Sequence, residues 1–129
     1  MSDMRLRSPL GRALGLGSAK EGVGHWWAQR VSAIALVPLG VWFAASLISL
    51  AGADRAQFVI WLREPLPAIL MILTLGAVFY HGALGVQVVV EDYAPSESTK
   101  LAGIVVTKLL ALALAIAGIF AVLKIAFGA

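Results

Sequence analysis

The sequence contains no cysteine and little charge. The absence of cysteine among its 129 residues excludes disulfides, thiol catalysis, cysteine-bound iron–sulfur clusters and c-type haem attachment within this chain. Charged residues make up 13% of the chain and hydrophobic residues 60%, whereas soluble domains have about 25% charged and about 45–50% apolar residues. This composition argues against a water-soluble globular domain and against disorder, and the length fits one small unit.

Three long apolar runs cover most of the chain, at residues 31–51, 66–90 and 101–127. None of them contains Asp or Glu. Each has the roughly 20 residues that a helix needs to cross a hydrocarbon layer of about 30 Å. The sequence therefore predicts an all-α membrane protein, with an N-terminal segment at residues 1–30 and three transmembrane helices within residues 31–129.

The distribution of basic residues predicts the orientation of these helices. Basic residues are enriched on the cytoplasmic side of membrane proteins. Seven basic residues lie on the side of the membrane that holds the N-terminal segment and the connector between the second and third runs: Arg5, Arg7, Arg12, Lys20, Arg30, Lys100 and Lys108. The opposite side holds three: Arg55, Arg63 and Lys124. We therefore predict a cytoplasmic (or matrix-side) N-terminus and a C-terminus on the outer side.

The second run contains a histidine far from both of its ends. His81 precedes Asp92 by eleven residues, which places it about 15 Å deep and returns Asp92 to within about 20° of the same helix face. In one interpretation His81 hydrogen-bonds to a neighbouring helix, and Gly82 and Gly85 form a packing surface. In the other, His81 is an axial haem ligand and the glycines admit the porphyrin edge. Since His25 is the one other histidine and precedes the first run, the second ligand would come from another chain.

Two further groups of polar residues also have alternative interpretations. Asp92 and Tyr93 are either ordinary interfacial residues or the polar mouth of a quinone site, where Tyr93 donates a hydrogen bond and Asp92 assists proton uptake. Arg30 stands where the first run begins, between His25 and Ser32. It is either a basic residue at the membrane boundary or a bidentate partner for a carboxylate such as a haem propionate.

Two stretches of the sequence resemble a known family. The run HGALGVQVVVEDY, residues 81–93, resembles the D-type membrane anchor subunit of succinate dehydrogenase, respiratory complex II. The stretch GSAKEGVGHWWAQRVSAIAL, residues 17–36, is similar to the start of the first helix in alphaproteobacterial members. The resemblance covers nearly the whole chain and implies a helical anchor that bundles with a partner anchor subunit.

The resemblance also implies roles for single residues. His81 matches the axial ligand of a haem b that is shared with the partner subunit. Tyr93 matches the tyrosine that hydrogen-bonds to ubiquinone, the substrate, and Asp92 matches the acid beside that site. Arg30 matches an arginine that approaches a haem propionate. Further support at the propionate or the quinone is expected from two neighbours, His25 and Ser32.

The same resemblance implies the partners and the location of the chain. Its partners would be a C-type cytochrome b anchor subunit, an iron–sulfur subunit and a flavoprotein subunit, which together form a heterotetramer in membrane lipid. Trimerisation of the tetramer stays open, and no nucleic acid is involved. Dicarboxylate oxidation would take place in the two hydrophilic subunits, and the expected location is the bacterial cytoplasmic (inner) membrane, with a periplasmic C-terminus.

Two alternative functions are weighed against this one. A small ion-coupled transporter would need a carboxylate within the membrane to couple protons to its substrate, and the three runs contain none. A haem-free structural anchor would use His81 for helix packing alone. A b-type haem band in the visible spectrum that is lost when His81 is replaced would indicate the haem-binding anchor, and neither alternative predicts such a band.

Overall fold

The computed structural model describes residues 9–13 and 22–128, and within these ranges the chain forms α-helices and no strands. The helices are α1 (Pro9–Ala13), α2 (Gly22–Ser49), α3 (Arg55–Arg63), α4 (Pro65–Tyr93) and α5 (Glu97–Ala126). Three of them, α2, α4 and α5, are long and apolar enough to cross a membrane. The predicted all-α fold with three transmembrane helices is therefore confirmed.

The long helices begin before the apolar runs from which they were predicted. The first predicted span starts at residue 31, but α2 begins nine residues earlier, at Gly22. Hydropathy marks the apolar part of a helix, whereas backbone hydrogen bonding continues through the polar residues at its ends. The predicted division of the chain at residue 30 falls within α2 and stays a prediction.

Most basic residues of the N-terminal segment lie outside the part of the chain that the structure describes. Arg5, Arg7 and Lys20 lie outside the described residues, as does the side chain of Arg12. Arg30 lies within α2. The orientation in the membrane accordingly stays a prediction from the sequence.

The connector between α2 and α4 contains a helix that the apolar runs did not predict. Its start is fixed by a capping box, in which the Asp54 side chain accepts from the backbone N–H of Gln57 at 2.8 Å and the Gln57 side chain accepts from that of Asp54 at 2.9 Å. The turn before it uses Gly52, whose φ of 83° favours glycine. Trp61 of α3 then stacks on Trp42 of α2, with ring centroids 6.1 Å apart. This helix closes one end of the molecule.

The buried core lies at this end, beneath α3. Leu62 is 2% exposed and contacts the start of α4 and the end of α5 through Ala68 and Val122. Arg63 donates a hydrogen bond from Nε to the carbonyl of Ile125 at 3.4 Å, which satisfies one of the free carbonyls at the end of α5. At the other end, where α2 begins and α4 ends, the contacts among the described helices are those of α4 with α2 and with α5.

The three long helices form an open layer with α4 in the middle. In the described part of the chain, α4 packs against both α2 and α5, whereas α2 and α5 do not pack directly against each other. Consequently few residues are buried in the most apolar stretches of α2, α4 and α5: 11%, 11% and 6% of them. Most of this apolar surface is left for lipid or for other subunits.

Candidate functional site

Two stripes of residues face each other where α2 packs against α4. The α2 stripe contains three polar residues at helical spacing, His25, Gln29 and Ser32. The helices are antiparallel, so that Ser32 lies opposite His81 and Gln29 opposite Gly85. The structure thus brings together two residues that the sequence analysis assigned separately, His81 and Ser32.

His81 lies near the middle of α4 and is half-buried. Its Nδ1 atom is 2.9 Å from the Ser32 hydroxyl. Ser32 is buried, and its hydroxyl donates to the backbone carbonyl oxygen of Ala28 at 2.7 Å. The backbone carbonyl oxygen of Gln29 lies 3.1 Å from the same hydroxyl. The hydrogen bond to a neighbouring helix, one of the two interpretations of His81, is therefore present. It uses one ring nitrogen, and Nε2 has no hydrogen-bond partner among residues 22–128.

A groove of about 430 Å³ opens beside this pair, one turn towards the start of α2. Gly85 and Val88 line it from α4, and the remaining lining residues come from α2: Gly22, His25, Trp26, Gln29 and Arg30. A Cβ atom added to Gly85 would lie 3.8 Å from the Gln29 side-chain nitrogen. The missing side chain at Gly85 therefore keeps the floor of the groove flat.

Two buried polar atoms of this groove lack a hydrogen-bond partner in the described part of the chain. They are Nε2 of His25 and the side-chain oxygen of Gln29. Each buried polar atom left without a partner costs about 1–3 kcal/mol, so native proteins rarely keep such atoms without a reason. The groove is consequently suited to a group that supplies polar contacts from outside this chain.

The basic side chain of the groove is Arg30. It is exposed, and its guanidinium carbon lies 5.4 Å from the ring centroid of Trp26. A cation held over an indole ring is stabilised by the ring quadrupole, and the guanidinium edge stays free to bind a carboxylate. Arg30 and His25 therefore give one wall of the groove a composition that favours an anion.

Asp92 and Tyr93 lie at the end of α4 and are not brought to His81. Tyr93 is the last residue of α4 and is 82% exposed. Twelve residues separate it from His81, which corresponds to about 18 Å along the helix. Asp92 is also exposed and lies one turn beyond Val88 of the groove. Both side chains are thus presented to the surface at the end of the molecule on which the groove opens.

Gln29 is the site residue that the sequence analysis missed. Its spacing carried a signal, because residues 25, 29 and 32 share one face of an otherwise apolar helix. A glutamine side chain does not by itself indicate a particular chemistry, and the position of Gln29 opposite Gly85 depends on how the two helices pack. The polar stripe could therefore have been recognised in the sequence, whereas the α4 residues that face it could not.

The described residues contain no cluster of three or more His, Asp or Glu side chains that could hold a metal ion. The one histidine that lines the groove is His25, which shares the groove with Val88 of α4, and His81 is not among the lining residues. Seven residues of α4 separate Val88 from His81, which amounts to about 10 Å. Any metal bound by His81 would accordingly require ligands that these helices do not bring next to it.

Comparisons with known proteins agree on one family. Residues 4–122 match the family described as succinate dehydrogenase/fumarate reductase transmembrane subunit. A succinate dehydrogenase hydrophobic membrane anchor subunit of Rickettsia bellii is 33% identical over 90% of this chain and 93% of its own. The subunit of the same name from Paracoccus denitrificans is 31% identical over 98% and 97%. No solved structure gives a significant match.

Proposed function

Because the chain belongs to the succinate dehydrogenase/fumarate reductase transmembrane subunit family, we propose that it anchors a succinate dehydrogenase in the membrane and helps to carry electrons to ubiquinone. The family resemblance expected from residues 81–93 and 17–36 is confirmed by the match, and so is the multi-pass helical architecture. The anchor is not the dehydrogenase subunit of such an enzyme. The finer assignments below are our proposals for single residues.

The proposed haem site extends from His81 over the adjoining groove between α2 and α4, one turn away, and the donor groups there fit such a group. Nε2 of His81 has no partner in the described chain, which leaves it available as an axial ligand. The guanidinium of Arg30 and, as an N–H donor, the unpartnered Nε2 of His25 would bind the propionates. The unpartnered side-chain oxygen of Gln29 can only accept a hydrogen bond, so it would need a donor from a partner subunit or from water. When bound, haem b supplies a one-electron relay. The second axial histidine would come from the C-type partner, since His25 lies too far along the groove.

The proposed quinone site lies at the end of α4. Tyr93 would donate a hydrogen bond from its hydroxyl to a quinone carbonyl oxygen, and Asp92 beside it would assist proton uptake. The support is their position: both are exposed at the surface, one to two turns beyond the end of the groove. An exposed pair of this kind is half of a site, which the partner subunits would complete.

The partners and the orientation complete the proposal. We propose a heterotetramer with a C-type cytochrome b anchor, an iron–sulfur subunit and a flavoprotein subunit, in a bacterial cytoplasmic membrane, with the N-terminus cytoplasmic and the C-terminus periplasmic. The open layer supports it, because α2 and α4 leave a large apolar face uncovered. The asymmetry of the basic residues supports the orientation.

The observation that carries this proposal is the free Nε2 of a mid-membrane histidine beside a groove with unpartnered polar atoms. It is tested by purifying the complex and recording its reduced-minus-oxidised visible spectrum. A b-type band should be present, and His81→Ala should abolish it while all subunits still copurify. The matched variant His25→Ala removes the other histidine and should weaken haem retention without abolishing the band. A full b-type band in the assembled His81→Ala complex would refute the axial role.

A haem-free anchor is the second candidate, and one observation favours it. The hydrogen bond between His81 and Ser32 would satisfy part of the imidazole without any cofactor. This anchor would give a complex with no b-type band and with the same quinone reduction in the wild type and in His81→Ala. The spectrum therefore separates the two candidates.

A further inference from the structure

We propose that Ser32 fixes the tautomer of His81 with the proton on Nδ1, and so leaves Nε2 as the ring nitrogen with a free lone pair. The functional meaning of this tautomer rests on the proposed function, because an unprotonated Nε2 is what a metal-binding histidine needs. The tautomer itself is inferred from the hydrogen bonds around Ser32.

The Ser32 hydroxyl carries a single proton, so it can donate to one of its neighbours at a time. Three acceptor-capable atoms surround Oγ: the carbonyl oxygen of Ala28 at 2.7 Å, that of Gln29 at 3.1 Å and Nδ1 of His81 at 2.9 Å. A carbonyl oxygen can only accept, whereas an imidazole nitrogen either donates or accepts. If the hydroxyl proton pointed at His81, Oγ would face the Ala28 carbonyl at 2.7 Å with lone pairs on both atoms. The arrangement without this repulsion sends the proton to Ala28.

The consequence for His81 follows directly. With its proton donated to Ala28, Ser32 Oγ offers His81 only lone pairs, so the 2.9 Å contact requires a proton on Nδ1. A neutral imidazole carries one ring proton, and Nε2 is therefore the unprotonated nitrogen. Metal-bound histidines commonly donate their second N–H to a nearby oxygen, which fixes the tautomer and raises the basicity of the ligand. Ser32 is thus a positioning residue that acts through His81.

Helix α2 contains a matched control for this hydroxyl. Ser46 is also buried and donates to the carbonyl four residues before it, that of Trp42, at 2.8 Å. Ser46→Ala removes the same kind of backbone bond from the same helix, without touching His81. A difference between the two alanine variants therefore reports the contact with the imidazole rather than the loss of a helix hydroxyl.

The first test locates the ring proton by solid-state NMR of the full chain, labelled with nitrogen-15 histidine and reconstituted without haem in phosphatidylcholine bilayers. The chain has two histidines, so His25→Gln leaves His81 as the one labelled ring. We expect the proton on Nδ1 in this background and with Ser32→Thr or Ser46→Ala added. Ser32→Ala should move it towards Nε2. A proton on Nε2 while Ser32 is intact would overturn the inference.

The second test measures the assembled complex with haem bound. Loss of a partner for the Nδ1–H weakens the ligand, so Ser32→Ala should shift the haem reduction potential to more positive values. Haem affinity should fall about ten- to hundredfold, the usual effect of removing such a partner. Ser32→Thr should restore both quantities, and Ser46→Ala should change neither. Equal effects of the two alanine variants would contradict the proposal.

The two tests fail separately. A wild-type complex without a b-type band would refute the proposed haem site, while the NMR measurement would still decide which nitrogen carries the proton. A complex with a b-type band but with the proton on Nε2 would refute the role of Ser32 alone.

Discussion

Replacing Gly85 with leucine tests whether the groove beside His81 receives the haem. Gly85 lies one turn from His81 and lines the groove. A Cβ atom at this position would lie 3.8 Å from the Gln29 side-chain nitrogen, an ordinary van der Waals distance. Alanine should therefore fit between α2 and α4, whereas the additional carbons of leucine must either enter the groove or displace Gln29.

The expected size of the effect follows from the cost of overpacking. Extra methylene groups at a packed site cost about 1–3 kcal/mol, and about 1.4 kcal/mol corresponds to a tenfold change in affinity. If the overpacking free energy applies only to the haem-bound state, Gly85→Leu should weaken haem binding about 5- to 140-fold. Gly85→Ala should stay close to the wild type, because its added atom meets no contact shorter than 3.8 Å.

The assay is titration of the haem-depleted complex with haemin, followed by the Soret absorbance. A control for leucine in a membrane helix is Gly40→Leu, since Gly40 is exposed on α2 with nothing within 4 Å of an added Cβ. Wild-type affinity in Gly85→Leu would show that haem does not occupy this groove. An equal loss in Gly40→Leu would show that the effect is not local.

Three further predictions concern the quinone site, the topology and the helix packing. Tyr93→Phe should depress ubiquinone reduction while leaving succinate oxidation by a soluble dye intact, and equal loss of both activities would contradict a local role. A reporter fused after the last residue should be active only on the periplasmic side, and a cytoplasmic signal would reverse the topology. Gly103→Ala should lower the melting temperature of the complex, because its Cβ would lie 2.9 Å from the stiff, β-branched Val90. Gly118→Ala, 3.2 Å from the flexible end of Leu75, should change that temperature less, and the reverse order would contradict this packing.

The fold was predictable because membrane spanning constrains a sequence strongly. Runs of about 20 apolar residues without acidic groups have few alternatives to a transmembrane helix, and no more than two residues of any run lie outside its long helix. Helix α3 was missed because its signal is short. The capping box of Asp54 and Gln57 and the apolar positions Phe58, Trp61 and Leu62 were all in the sequence, but nine residues fall below the length that a hydropathy search detects.

The sequence pointed to His81, Ser32, His25 and Arg30 as candidate residues, but it indicated neither Gln29 nor how these side chains are arranged. His81 was identified by its depth, since a polar ring in an apolar helix requires a reason. Its contact with Ser32 depends on the register between α2 and α4, which apolar periodicity does not specify because both helices are apolar on most sides. Ser32 was assigned to a propionate or the quinone, whereas the structure places its hydroxyl against the imidazole.

The unpartnered polar atoms of the groove predict that the stability of this chain depends on assembly. His25 and Gln29 each keep a buried polar atom without a partner in the described chain, at a combined cost of about 2–6 kcal/mol. That cost is a large part of the roughly 5–15 kcal/mol by which a folded domain is stable. A group that supplies the missing hydrogen bonds recovers it, and the recovered free energy stabilises whichever assembly holds that group in place. If the proposed partners or haem supply these contacts, the chain should be more stable in the assembled complex than alone, because the described helices complete neither the apolar packing nor the polar contacts of this stripe.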